Sequence, residues 1–254
     1  MRDFFDGVRL LGRGLAMYGR NPRLVLLGLI PALITALLFT GAFVALVLFV
    51  DDLAGAVTWF ADDWAPGARS AARILAGTGI VGAAVVLAIV SFTAVTLLVG
   101  DPFYEKISKR IEDRLGGVPQ AVDVRWWRSL LDSARLILLS LTVTVPLFLA
   151  SFIPLVGQTL IPVIGATVGG WVLAVELVGV PFNRRGMRLP ERRRMLRAHR
   201  PLALGFGMSV FVCCLIPFVA VLVMPAAVAG GTLLARRVLG LSTEVTVADQ
   251  PRRG

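Results

Sequence analysis

Arg20, Asn21 and Arg23 stand together immediately ahead of 27 uncharged residues, Leu24 to Val50. Guanidinium forks and the free N–H groups of a helix start are the fixed donors that an oxyanion needs. Helix starts of this kind aim positive dipole ends at anions in transporters. The same residues can equally anchor a span against anionic lipid and set its topology, and both readings stand at this point. Five further residues are candidates for a permeation path: Glu112, Arg114, Gln158, Thr159 and Glu176. Glu112 and Arg114 are two apart on a helical stretch and face different sides, so each must find a separate partner. They suit either a pore lining or a solvated, headgroup-facing side. Glu176 is the one acidic residue inside a long apolar run, where ionisable groups are functional candidates by default. It also lies six residues before Phe182, close enough to the run's end to reach the interface. Gln158 and Thr159 fall where another apolar run is broken, and there they can satisfy exposed backbone or meet a permeating ion.

Other chemistries find no support. The chain has no Gly-x-x-x-x-Gly-Lys-Ser/Thr phosphate cradle, no His-Glu-x-x-His and no Gly-x-Ser-x-Gly elbow. The expectation is therefore of a non-enzyme without cofactor or metal. His199, the sole histidine, stands among arginines and cannot build a metal site alone. Cys213 and Cys214 are neighbours, about 100° apart on a helix, which suits two small buried hydrophobes better than a disulfide. A net charge of +10 could suggest nucleic acid. Its distribution argues otherwise, because the basic residues bracket apolar runs instead of forming one basic face.

The elements that must position these residues belong to a membrane protein. Hydrophobic residues make up 57% of the 254 and charged ones only 17%, and the mean hydropathy is +0.81. Soluble domains are nearer half apolar and about a quarter charged. Leu24 to Val50 covers roughly 40 Å as a helix, enough to cross a bilayer with tilt. Ile74 to Val99 is a second uncharged run of spanning length. Residues 1–23 read as an interfacial helix, with Phe4, Val8, Leu11 and Leu15 at helical spacing and Arg2, Arg9 and Arg13 on other faces. They lack the separate apolar core and cleavage site of a signal peptide, so the first run is expected to stay as an anchor. Phe103, Ile107, Ile111 and Leu115, spaced by four, predict a second amphipathic helix over 102–115 that can lie on the membrane, ended by Gly116-Gly117. Trp126, Trp127 and Arg128 resemble an interfacial belt.

Two interrupted apolar regions remain, 136–182 and 202–235, broken by Ile153 to Pro162 and by Pro217 and Pro225 respectively. Between them runs Arg184, Arg185, Arg188, Arg192, Arg193, Arg194, Arg197 and Arg200, opposed only by Glu191, and suited to lipid headgroups. The positive-inside rule puts this loop, the N-terminal segment and the segment after the second span in the cytoplasm, and the acidic 51–73 loop outside. Each interrupted region must then enter and return. In the last region, legs of roughly 16 and 18 residues reach about 24–27 Å, short of a ~30 Å core. Re-entrant pairs fit at least as well as full spans, and they require a protein-lined interior, shared between subunits. The other reading is a six-span bundle kinked at prolines. Gly165-x-x-x-Gly169 and Gly79-x-x-x-Ala83 permit close helix packing.

An ordered set of motifs carries a resemblance. Asp101-Pro102-Phe103 with Glu112-Asp113-Arg114-Leu115-Gly116-Gly117 comes first, then Ile153-Pro154 with Gly157-Gln158-Thr159 and Pro162. Pro181-Phe182 and Met224-Pro225-x-Ala227-Val228-x-Gly230-x-Thr232 follow in the same order. Together they resemble the CysZ-type sulfate permeases, grouped with the etoposide-induced membrane proteins, over residues 1 to about 237. The resemblance implies two long transmembrane helices, two half-penetrating hairpins, oligomeric assembly and sulfate uptake feeding cysteine synthesis. It also implies an arginine pair before the first span that helps bind sulfate. Here those positions align with Val25 and Leu26, leaving Arg20 and Arg23 as displaced equivalents, and Tyr104 replaces the usual asparagine after Pro-Phe.

The expectation is thus an all-α integral membrane protein with two long transmembrane helices, two re-entrant helical hairpins and amphipathic interfacial helices. Residues 1–240 form a single membrane domain, and 241–254 a polar tail. It passes a small oxyanion, sulfate first, across a cytoplasmic membrane as a homo-oligomer among anionic lipids, with no nucleic-acid partner. The alternatives are another anion, or a non-transporting organiser that keeps the fold.

Overall fold

The computed structural model describes residues 2–119, 121–122, 126–153 and 156–244. Pro154, Leu155, Arg125 and the tail beyond Glu244 lie outside the described residues, and Trp126, Trp127 and Arg128 are described only as the start of a helix. Nine α-helices and one 3₁₀ turn account for the described elements, with no strand among them. In chain order they are α1 (Arg2–Gly19), α2 (Pro22–Val57), the turn Trp59–Ala61, α3 (Pro66–Arg114), α4 (Trp126–Ala150), α5 (Val156–Leu177), α6 (Gly179–Asn183), α7 (Leu189–Ala198), α8 (Arg200–Cys214) and α9 (Pro217–Val238). Among the described residues four helical stretches are long and apolar enough to cross a membrane: Pro22–Val57, Pro66–Ile89, Gly157–Leu177 and Val219–Val238.

The two uncharged runs read from the sequence lie inside α2 and α3, and both helices outrun them. Charged residues such as Asp51, Asp52, Arg69 and Arg73 do not end a helix that reaches water, so α2 and α3 continue past the apolar stretch. The amphipathic segment expected over 102–115 is not a separate helix. It is the C-terminal part of α3, which passes through Pro102 without a break. At its end Gly116 and Gly117 adopt φ of +103° and +70°, and the Gly117 N–H donates to the Glu112 carbonyl at 2.8 Å. That six-to-one bond is a Schellman stop, which a residue without Cβ closes at no steric cost.

The chain divides into two compact units. Residues 29–101 form one, made of most of α2 and the first part of α3. Inside it Asp62 pairs with Arg69 at 2.8 Å and Arg73 at 3.3 Å, and Phe39 meets Phe92 edge-on at 5.8 Å. Its outward side chains Leu37, Leu48, Ile74 and Leu75 are 68–75% exposed, an apolar surface that suits lipid.

Residues 1–28 and 102–254 form the other unit, which holds every candidate site residue. Its core is α9, the most buried of the four long stretches, packed by α1, α8 and α5. Phe206, Leu233, Leu234 and Ala226 are fully buried there. Helices approach at glycines: a methyl on Gly205 would overlap the Phe4 carbonyl, and one on Gly207 the Gly170 carbonyl. Lipid tails are as apolar as leucine, so close packing of this kind holds such helices together. This bears on α1. Its Gly7, Leu10, Leu11 and Gly14 are buried against α8 and α9, while Phe5, Val8 and Leu15 stay exposed. The face expected to lie on the membrane, Phe4, Val8, Leu11 and Leu15, is therefore split between core and surface.

Each interrupted region forms a packed helix pair, α4 with α5 and α8 with α9. In the second pair α8 is short, 15 residues against the 22 of α9, while in the first α4 is 25 residues long with a shorter apolar part, Ala134–Ala150, beside the 22 of α5. Pro217 opens α9, but Pro162 and Pro225 lie inside helices that continue through them. Non-helical backbone in apolar surroundings would leave more than one polar group unpaired, so losing a single hydrogen bond at proline costs less.

Candidate functional site

Asn21 sits in the two-residue joint between α1 and α2, with its backbone carbonyl accepting from Leu24 at 2.9 Å and Val25 at 3.0 Å. It is the cap of α2, and Pro22, which has no N–H to satisfy, takes the first helical position. The joint is held from behind by Tyr18, whose hydroxyl donates to the Val25 carbonyl at 3.2 Å. Burial pushes the Tyr18 phenol above its usual pKa, so it stays a donor. Gly28 leaves room for that hydroxyl and for Pro225.

The last turns of α3 arrive beside this joint. Asn21, Arg23, Leu24, Arg110, Asp113 and Arg114 line a pocket of about 240 Å³. Pockets for drug-sized ligands run to about 300–1,000 Å³, so this one suits a small ion. Arg114 donates through both terminal nitrogens to the Asn21 side-chain oxygen, with the amide turned so that donors meet acceptors. Arg23 and Arg110 carry no ion pair among the described residues and are exposed. Three guanidiniums therefore meet one carboxylate, Asp113, at the positive end of α2. Arg20 is exposed and is not among the lining residues.

Behind the pocket α3 turns its opposite face into the core. Tyr104, Ile107, Ser108, Ile111, Glu112 and Leu115 are all buried. Ser108 and Thr232 of α9 share a hydrogen bond at 2.8 Å. Glu112 is fully buried, not set on a solvated or headgroup-facing side, and its carboxylate receives Arg185 at 2.5 Å and Arg184 at 3.1 Å. Arg184 also reaches Asp113 at 3.8 Å, which links the pocket to the buried pair of charges. Arg236, from the end of α9, donates to the Leu115 carbonyl at 2.6 Å and to that of Ser242 at 2.7 Å. Its charge faces both Glu112 and Arg185.

The arginine run 184–200 is therefore not all headgroup-facing. Arg192 of α7 is buried, pairs with Asp132 of α4 at 3.3 Å and donates to the Asn183 side chain. Burial pushes its guanidinium below the ordinary value, and the charges of Asp132 and Glu176 oppose that shift. Arg188, Arg194, Arg197 and Arg200 remain exposed.

The structure thus brings Asn21, Arg23 and Arg114 together and sets Glu112 behind them. It does not bring in the other candidates. Gln158 and Thr159 lie in the first turns of α5, exposed, and not in the break before it. Glu176 is exposed near the end of α5, on the Arg192 side. Sequence reasoning missed Arg110, Arg184, Arg185 and Arg236 as site residues. Arg110 was within reach, being four residues, one turn, before Arg114 on the same face.

Residues 10–225 match the family model described as "Sulfate transporter CysZ/Etoposide-induced protein 2.4". A protein named "Sulfate transporter CysZ" from Pseudomonas syringae pv. tomato is 31% identical over 150 residues, 56% of this chain and 59% of the relative. One of the same name from Vibrio cholerae is 30% identical over 149 residues, 56% of this chain and 60% of the relative. One from Pseudomonas paraeruginosa is 38% identical over 65 residues, 26% of each chain. At most, the matched stretch in these three covers 60% of the relative's length.

Proposed function

The chain belongs to the sulfate transporter CysZ/etoposide-induced protein 2.4 family, and from that premise we propose that it carries a small oxyanion, sulfate first, across the cell membrane. The observation that carries the reading is the arginine pocket at the start of α2, where Arg23 and Arg110 have no ion-pair partner among the described residues. Multi-pass membrane placement is supported by the family and the four long apolar stretches. The positive-inside rule puts the start of α2 and the end of α3 in the cytoplasm, with the 51–73 loop outside.

Within this reading the anion sits against the forks of Arg23 and Arg110 and the free N–H groups of the first turn of α2. Arg114 is fixed by Asn21 and supplies charge without having to reorganise. Arg184 stands between this pocket and Glu112, so the buried charges offer a route inward in which one guanidinium succeeds another. Uptake runs down the electrochemical gradient or with a coupled ion, since no nucleotide motif is present to drive it. The short helix α8 supports a half-penetrating pair with α9, which needs a protein-lined interior and so an oligomer.

The test is radiolabelled sulfate uptake into proteoliposomes. Wild type should show saturable uptake that Arg23→Ala/Arg110→Ala loses, while Arg20→Ala, outside the pocket lining, retains it. Uptake kept by the double variant would discard the pocket and keep the transporter. A well-folded wild type that moves neither sulfate, sulfite, thiosulfate nor phosphate would leave the non-transporting reading, which Val25 and Leu26 at the expected arginine positions favour.

A further inference from the structure

Asp113 is the one carboxylate that lines the arginine pocket. Its side chain is 54% exposed, and its ion-pair partner is Arg184 at a long 3.8 Å. A group that served only to hold Arg184 would be redundant, because Glu112 already does so at 3.1 Å from full burial. A carboxylate beside three guanidiniums has a second effect: it repels whatever anion they attract.

We propose that Asp113 is a counter-charge that competes with the bound anion for the pocket's arginines, and so limits affinity, most strongly for a dianion, and eases its release. This rests on the oxyanion reading given above. The pocket then carries a net charge of +2, from three arginines and one aspartate. A transporter's site must hold its ion well enough to admit it and loosely enough to release it. Coulomb energy scales with the product of the charges, so Asp113 penalises a dianion twice as much as a monoanion at the same distance. Its removal therefore tightens dianion binding by a factor that is the square of the factor for a monoanion.

Equilibrium binding of radiolabelled sulfate and of iodide to the purified, detergent-solubilised full chain tests this, with Asp113→Asn against wild type and Asp113→Glu as the charge-retaining control. Asp113→Asn should bind sulfate about 3- to 10-fold more tightly, as expected for one exposed charge a few ångströms away. The gain for iodide should be about the square root of that, and Asp113→Glu should match wild type. A merely structural role would not reproduce the relation between the two ions. If wild type binds sulfate saturably and Asp113→Asn binds it no more tightly, or if both ions gain equally, the inference is overturned and the site reading survives. If wild type shows no saturable sulfate binding, both fall.

Discussion

Removing Glu112 leaves Arg184 and Arg185 facing each other in a place where water hardly reaches them. Breaking a buried ion pair from one side costs about 3–5 kcal/mol, because the surviving charge loses its partner and keeps its desolvation. Glu112→Ala should therefore lower thermal stability in detergent by that order, whereas Asp113→Ala, on a half-exposed side chain, should change it by less than about 1 kcal/mol. A thermal-shift comparison of the two variants checks this, and equal shifts would remove Glu112 from the core of the unit. The sequence marked Glu112 as a residue in need of a distant partner and left open which one. That partner is 72 and 73 residues away, a separation that periodicity along a helix does not encode. Asn21 and Arg23 were legible because a helix start advertises itself in sequence. Arg110 was legible in principle, and Arg236 was not, since an arginine just after an apolar run has the same local signature whether it touches lipid or core.

Among the elements, α1 is the one whose surroundings the sequence hid. Its arginines and apolar residues at helical spacing are what a membrane-surface helix needs, and Phe5, Val8 and Leu15 do stay exposed. Its glycines decide the matter instead: Gly7 and Gly14 are where α1 meets α8 and α9 backbone to backbone. Gly205 of α8 completes the seam, and a Cβ there would collide with the Phe4 carbonyl, which cannot move aside as a flexible side chain would. Overpacking of this type costs about 1–3 kcal/mol. Gly205→Ala should accordingly lower thermal stability by that order and loosen α1, read as faster cleavage by trypsin after Arg9 or Arg13. Gly12→Ala, where a Cβ meets open space, should be neutral or slightly stabilising. Identical proteolysis of both variants would mean that α1 is held by something other than this seam. The α2 and α3 spans were legible as uncharged runs, yet their true lengths were not. Hydropathy reports how far a helix is apolar and is silent on how far it continues into water.

At the scale of the molecule, charge asymmetry predicts which side of the membrane the loops occupy. Carrying Lys, Arg or Asp through the bilayer centre costs about 2.5–3.5 kcal/mol per residue. The segments flanking the two long spans on one side hold Arg2, Arg9, Arg13, Arg20 and Arg23, and Lys106, Lys109, Arg110 and Arg114, while Asp51, Asp52, Asp62 and Asp63 occupy the connection between them. Folding does not erase the asymmetry. Asp62 pairs with Arg69 and Arg73, which leaves the basic residues of the 51–73 segment matched by carboxylates and that segment the easier one to translocate. The arginine loop keeps Arg188, Arg194, Arg197 and Arg200 exposed, and by the positive-inside rule such charge predicts a cytoplasmic loop. With Cys213 and Cys214 replaced by alanine, Asp63→Cys should react with a membrane-impermeant maleimide in intact cells, and Arg194→Cys only after lysis. Both positions are exposed, so burial does not mask the readout. The reverse pattern would place the arginine pocket on the outer face and turn it from an exit into an entrance for the anion. Labelling of both sites in intact cells would mean that the chain inserts in two orientations.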